Sequence, residues 1–253
     1  MTTQKHATYD GMLAELVPFK GHNGDTIYGY AARPMGPGPF GSVVVIHHMP
    51  GWDEASKEIA RKFAYHGYSA ICPNLYHRED PADPVAAAAA ARAAGGVPDA
   101  RCIGDIGGAI DYLRSLLCSN GKVGIIGYCS GGRQVYLVAC NIPTINAAVD
   151  CYGGSVIAPP ERLSPRQPVA PIDMTPNLAC PLLGLFGVED ANPAPDQVAQ
   201  TEQVLKRHGK TYTFHTYENA GHSFFSVDRP SYRQAAATEG WQRVFEFYGK
   251  YLT

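Results

Sequence analysis

Three short segments carry residues whose types and spacing could do chemistry. Gly127-Tyr128-Cys129-Ser130-Gly131-Gly132 closes an apolar run, sets a cysteine among small residues and leads into a helical stretch. Small neighbours suit a side chain held on a sharp strand-to-helix turn, where the backbone is strained and flanking chains pass close together. A helix starting there aims its N-terminal amides at the sulfur and favours the thiolate. On this reading Cys129 is a nucleophile. The competing reading is a small buried hydrophobe in a tight turn.

The other two segments bear on that choice. A nucleophile of this kind needs a base, and the base an orienting acid, in the chain order nucleophile, acid, histidine. Gly187-Val188-Glu189-Asp190 follows the strand-like run PLLGLF, and Ala220-Gly221-His222-Ser223-Phe224 follows TYTFHTY. Asp190 and His222 therefore stand in the required order, each just past the end of its own strand. Three placements in the right order by coincidence have odds of roughly one in ten. The plainer alternatives are Asp190 as a helix cap and His222 as a surface turn residue. Glu189 is a neighbour that a one-residue shift would exchange for Asp190.

Other titratable residues read as structural. His215 falls in mid-strand on the face opposite Tyr212 and Phe214, an exposed sheet position. His66 and His208 close helices, where histidine complements the dipole. The nine histidines show no H-E-x-x-H spacing, and no metal site is expected. Seven cysteines, at 72, 102, 118, 129, 140, 151 and 180, make an odd count with no C-x-x-C pair. That argues against a disulfide framework and a zinc knuckle. Cys72 and Cys151 sit in apolar runs and read as fillers.

The elements that must position Cys129, Asp190 and His222 follow from the hydropathy pattern. ELVPFK and DTIYGYAAR read as an antiparallel entry hairpin around GHNG. SVVVIH (42–47) is the unbroken β-branched run of a strand buried on both faces. SKEIARKFAYHG reads as a helix stopped at Gly67, and YSAIC as the next strand. The alanine run 85–94 reads as a helix ended by Gly95-Gly96-Val97-Pro98. A longer helix from Asp99 carries Ile103, Ile106, Ile110, Leu113 and Leu117 on one stripe. KVGIIG, INAAVDCY, PLLGLFG and TYTFHTY supply four more strands, with helices near 131–141, 195–208 and 232–252. This predicts one α/β domain over residues 1–253, with about eight mostly parallel strands and helices on both faces. The proline-rich segment 153–180 excludes a central strand or a long helix, and leaves a strand end where it could cover a pocket.

At 253 residues, with 45% apolar and 17% charged side chains, the chain can bury a sizeable core. A net charge of -2 gives no footprint for nucleic acid. No run approaches the roughly 20 apolar residues of a membrane span. The opening MTTQKHATYDG lacks the apolar stretch of a signal peptide, which makes the cytoplasm the expected location.

SNGKVGIIGYCSGG, ICPNLYHR and NAGHSFF together resemble the dienelactone hydrolases (carboxymethylenebutenolidases), cysteine members of the α/β-hydrolase fold, from about residue 25 to near the C-terminus. The resemblance implies Cys129 as nucleophile, His222 as base and Asp190 as orienting acid. It implies an oxyanion hole from the backbone N–H groups of Ser130 and Met49. It further implies Arg78 as a contact to a substrate carboxylate and Tyr152 as a wall of the pocket. Two positions depart from the family. His48 stands where a glutamate usually helps generate the thiolate, which suggests that His48 reaches Cys129 or the substrate; the plainer reading is that it only shapes the loop. Ser226 stands where a second carboxylate-binding arginine is usual, with Arg229 and Arg233 as candidate substitutes. The reaction class therefore transfers better than the substrate.

The expectation is a cofactor-independent hydrolase cleaving a small ester or lactone through an acyl-cysteine. Two alternatives stand beside it. One is a hydrolase-fold protein that binds a ligand without turnover. The other uses the thiol, or the His47/His48 pair, for redox or metal-assisted chemistry.

Overall fold

The computed structural model describes residues 11–253. Most of the N-terminal stretch examined above for a leader lies outside the described residues. Eight strands form one sheet: β1 (Met12–Lys20), β2 (Thr26–Pro34), β3 (Phe40–Ile46), β4 (Ser69–Pro73), β5 (Ser119–Tyr128), β6 (Ala147–Cys151), β7 (Leu182–Gly187) and β8 (Tyr212–Tyr217). Six helices connect them: α1 (Glu54–Tyr65), α2 (Pro84–Ala93), α3 (Asp99–Ser115), α4 (Ser130–Asn141), α5 (Pro195–Arg207) and α6 (Gln234–Tyr251). The spatial order is β1-β2-β4-β3-β5-β6-β7-β8. The pairs β1/β2 and β2/β4 are antiparallel and the remainder parallel.

Alternation along the central strands splits the core into two layers. Val44, Ile46, Ile125 and Ala148 face α2, α3, α4 and α5, whose Ala87, Ile106, Val135 and Leu205 meet them. Val43, Val45, Ile126 and Val149 face α1 and α6 through Phe63, Ala64, Val244 and Tyr248. β3 is buried along its whole length. That is why its sequence is an unbroken apolar run rather than an alternating one. The parallel strands β3, β5, β6, β7 and β8 end at the same edge, so the segments that follow them gather there.

One sequence expectation needs correction. Leu117 does not continue the apolar stripe of α3. That helix ends at Ser115, Leu116 turns extended, and Leu117 is fully exposed. The segment 153–180 does not line the cavity between α1 and α6; its Ile157, Ile172, Asp173 and Pro176 line a separate one of about 330 Å³ beside α5. Its prolines do restrict it to short 3₁₀ turns, and Val156, Ala170, Ile172 and Leu178 pack into the layer of α3 and α4. Tyr136 of α4 and Thr175 share a 2.7 Å hydroxyl hydrogen bond there.

Candidate active site

Cys129 is the hinge between β5 and α4. Its backbone lies at φ 57, ψ -121, a region that costs a non-glycine residue about 1–3 kcal/mol. The glycines around it are there for contact. A Cβ on Gly127 would lie 2.2 Å from the carbonyl oxygen of Gly131, and one on Gly131 would lie 2.4 Å from that of Ile46. No larger residue fits either position without moving main chain. The turn is tied to β6 by the Cys129 N–H, which donates to the Cys151 carbonyl at 3.1 Å.

Asp190 and His222 meet at the same edge. His222 Nδ1 lies 2.8 Å from Asp190 Oδ2, and the Asp190 side chain is almost wholly buried. Asp190 Oδ1 also accepts the Asn192 N–H at 2.9 Å, which fixes the carboxylate plane. Glu189 is exposed, so its neighbour supplies the buried acid. The His222 ring also interacts with the Cys129 thiol. Burial alone would lower the His222 pKa; the hydrogen bond to Asp190 and the interaction with Cys129 outweigh it and raise the group to about 10. Burial likewise opposes ionisation of Cys129, but His222 and the backbone N–H groups of Ser130 and Met49 carry its pKa below the ordinary thiol value. The sulfur and imidazole thus favour the thiolate–imidazolium pair.

The amide of Met49 is aimed by two residues. The His48 carbonyl and the Met49 N–H belong to one planar peptide and point in opposite directions. His47 Nδ1 donates to that carbonyl at 2.9 Å, and His47 Nε2 accepts the Leu75 N–H at 3.3 Å. These two bonds set the tautomer. Burial pulls the His47 pKa down to about 4, so the ring is neutral near pH 7. Tyr76 packs its ring edge-on to His47 and donates its hydroxyl to the Met49 carbonyl at 3.1 Å. Neither His47 nor Tyr76 was marked in the sequence for this role. The only signal for Tyr76 is its place two residues before Arg78.

The remaining candidates divide. Tyr152 lies beside the site, its ring 5.1 Å from that of His222 and inclined at 62° to it. His48 turns its Nε2 to Asp53, 2.5 Å away, and Asp53 also caps α1 through the Ser56 N–H. Burial opposes the Asp53 charge, yet His48 and Ser56 hold its carboxyl well below the usual range. Arg78 is occupied elsewhere. Its Nε meets Asp25 at 2.8 Å, and its two terminal nitrogens grip Asp105 at 2.8 and 3.1 Å. Asp105 is fully buried and also accepts the His22 N–H. Arg78 is thus a clamp between the β1–β2 turn and α3, not a free cation for a substrate carboxylate. Arg233 spends its guanidinium on the carbonyls of Asn219, Pro230 and Tyr232.

The other six cysteines are buried. Burial pushes the thiols of Cys72, Cys102, Cys140, Cys151 and Cys180 upward, away from ionisation. Among the described residues no cluster of three or more His, Cys, Asp or Glu side chains could hold a metal ion, and no helix is long and apolar enough to cross a membrane.

Comparison with known proteins supplies the kinship. The family model described as "Dienelactone hydrolase family" matches residues 27–252. An Escherichia coli K12 protein provisionally named carboxymethylenebutenolidase is 35% identical over 239 residues, covering 90% of this chain and 84% of that one. A Methylorubrum extorquens protein with the same provisional name is 31% identical over 245 residues, covering 96% and 82%. A crystal structure from Klebsiella pneumoniae, provisionally named a dienelactone hydrolase, superposes with a TM-score of 0.85 at 30% identity, covering 96% and 100%.

Proposed function

The chain belongs to the dienelactone hydrolase family of α/β hydrolases, and from that premise we propose that it hydrolyses a small carboxylic ester or lactone through an acyl-cysteine intermediate. The observation that carries the proposal is the 2.8 Å bond between Asp190 and His222, whose ring interacts in turn with Cys129 on the strained turn between β5 and α4.

The Cys129 thiolate attacks the carbonyl carbon and a C–S bond forms. The carbonyl oxygen takes up the negative charge and is held by the Ser130 and Met49 N–H groups, whose position beside the Cys129 sulfur supports this role. The C–O bond then breaks, and His222 gives its proton to the departing alkoxide, which in a lactone remains attached to the acyl chain. Neutral His222 next takes a proton from water, the hydroxide adds to the thioester, and the thiolate leaves as the acid is released. Asp190 holds the imidazole in one orientation throughout.

The test is intact-protein mass after brief mixing with a small activated aryl ester. The wild type is expected to gain one acyl mass and Cys129→Ala none. Turnover that survives in Cys129→Ala would refute the mechanism. The pH profile gives a second check. Activity requires ionised Cys129, so kcat/KM rises with pH through a limb below the ordinary thiol value. It falls again near pH 10, where His222 loses its proton.

His47 gives a separate expectation. Loss of an oxyanion donor costs about 10²–10³ in kcat, and His47→Ala frees the peptide that presents one without removing it. Its kcat is expected to fall by about 10² with KM little changed. His47→Gln, which can still donate and accept, should recover most of the loss. Equal kcat in all three proteins would show that the His48–Met49 peptide needs no such support.

A further inference from the structure

A cavity of about 450 Å³ lies between α1, α6 and residues 225–228. Its walls are chiefly apolar: Ile59 and Tyr65 from α1, Trp241 from α6, Val45 from β3, and Phe225 and Val227 from the loop. Cys129, Asp190 and His222 do not line it, but two of its wall residues connect it to them. Tyr152 is the ring set against His222, and Tyr128 immediately precedes Cys129. Among the carboxylates and cations of the lining, Glu58 and Asp228 match Arg61 and Lys62 in number, and His47, His48 and His66 complete its titratable side chains. Arg61 is already ion-paired with Glu54 at 2.6 Å, and the Lys62 ammonium lies 4.6 Å over the Trp241 ring. A chamber of this size and polarity suits an uncharged hydrophobic group. The Arg78 clamp removes a second place where a carboxylate could be neutralised.

We propose that this cavity receives a bulky, uncharged apolar arm of the substrate, so that the enzyme prefers neutral esters or lactones bearing an aromatic or branched hydrophobic group over carboxylated ones. The inference rests on the hydrolase reading above, and the experiment separates the two. Three esters serve as probes: phenyl acetate, 2-naphthyl acetate and phenyl 2-naphthoate, with a carboxylated phenyl 2-naphthoate as the charged counterpart. In Ile59→Trp, kcat/KM for at least one naphthyl ester is expected to fall tenfold or more relative to phenyl acetate. Val227→Trp, at an exposed loop position, guards against a failure of Ile59→Trp to fold and should give the same selective loss. The carboxylated ester is expected to be turned over at least tenfold less efficiently than its neutral parent.

Calorimetric titration of Cys129→Ala with 2-naphthol reads the cavity without turnover. Binding that either tryptophan substitution weakens supports the proposal. If no ester is cleaved but this binding is seen, the hydrolase reading fails and the cavity assignment stands. Ester turnover with the same naphthyl-to-phenyl ratio in wild type and both variants would overturn the cavity assignment alone, as would a preference for the carboxylated ester.

Discussion

Asp190→Asn is expected to lower kcat by about 10⁴ while leaving KM and the unfolding midpoint close to wild type. An asparagine keeps the shape of the side chain, and its carbonyl oxygen can still accept the Asn192 N–H now bound by Asp190 Oδ1. What it loses is both the charge and the acceptor opposite His222 Nδ1, where its amide NH2 then stands. Asp190 is one of the two groups that lift the His222 pKa to about 10, so the alkaline fall in activity should move toward lower pH in the variant. Steady-state kinetics across pH checks both effects. Glu189→Gln is the control: its side chain is exposed, and its kcat should match the wild type. A loss of less than tenfold in Asp190→Asn would mean that His222 is oriented by something other than this carboxylate.

The second large effect concerns stability. Arg133, four residues beyond Cys129, is buried in α4 and grips Asp99 at the start of α3 with hydrogen bonds of 2.7 and 3.2 Å. Removing one member of a buried pair leaves the other charge uncompensated, at a cost of about 3–5 kcal/mol. Asp99→Ala should therefore lower the urea midpoint strongly with little change in the slope of the transition. The pair itself need not stabilise the fold, because its desolvation offsets its attraction. Asp99→Leu combined with Arg133→Met should recover most of what the single substitution loses. A single variant within 1 kcal/mol of wild type would show that water or another group reaches Arg133 once Asp99 is gone.

Much of this molecule could be read before its structure. β3, β6, β7 and the second half of β5 announce themselves as short, chiefly apolar runs because both faces of each are covered. Asp190 and His222 were legible for a related reason. Parallel strands finish at one edge, and a residue just past a strand end is thereby placed to within a loop. Arg78 was not legible. Its partners Asp25 and Asp105 lie 53 and 27 residues away, and nothing local distinguishes a clamped guanidinium from a free one. His47 and His48 show the same limit at shorter range. They are adjacent in sequence, yet one ring turns inward to Leu75 and the other toward Asp53 at the start of α1. Ring direction depends on how the loop after β3 folds back, and period and composition carry no information about that. The cavity between α1 and α6 is likewise a property of how two helices sit on the sheet, visible in neither helix alone.

Six of the seven thiols are buried and Cys129 alone is partly exposed, which has a practical corollary. A thiol-reactive reagent added to the folded protein meets a single group, so its uptake counts competent molecules directly. On the proposed mechanism, residual activity should fall linearly as label uptake rises and reach zero at one label per chain. The chain thereby carries its own standard for specific activity, and a shortfall from one label per chain measures the fraction already oxidised.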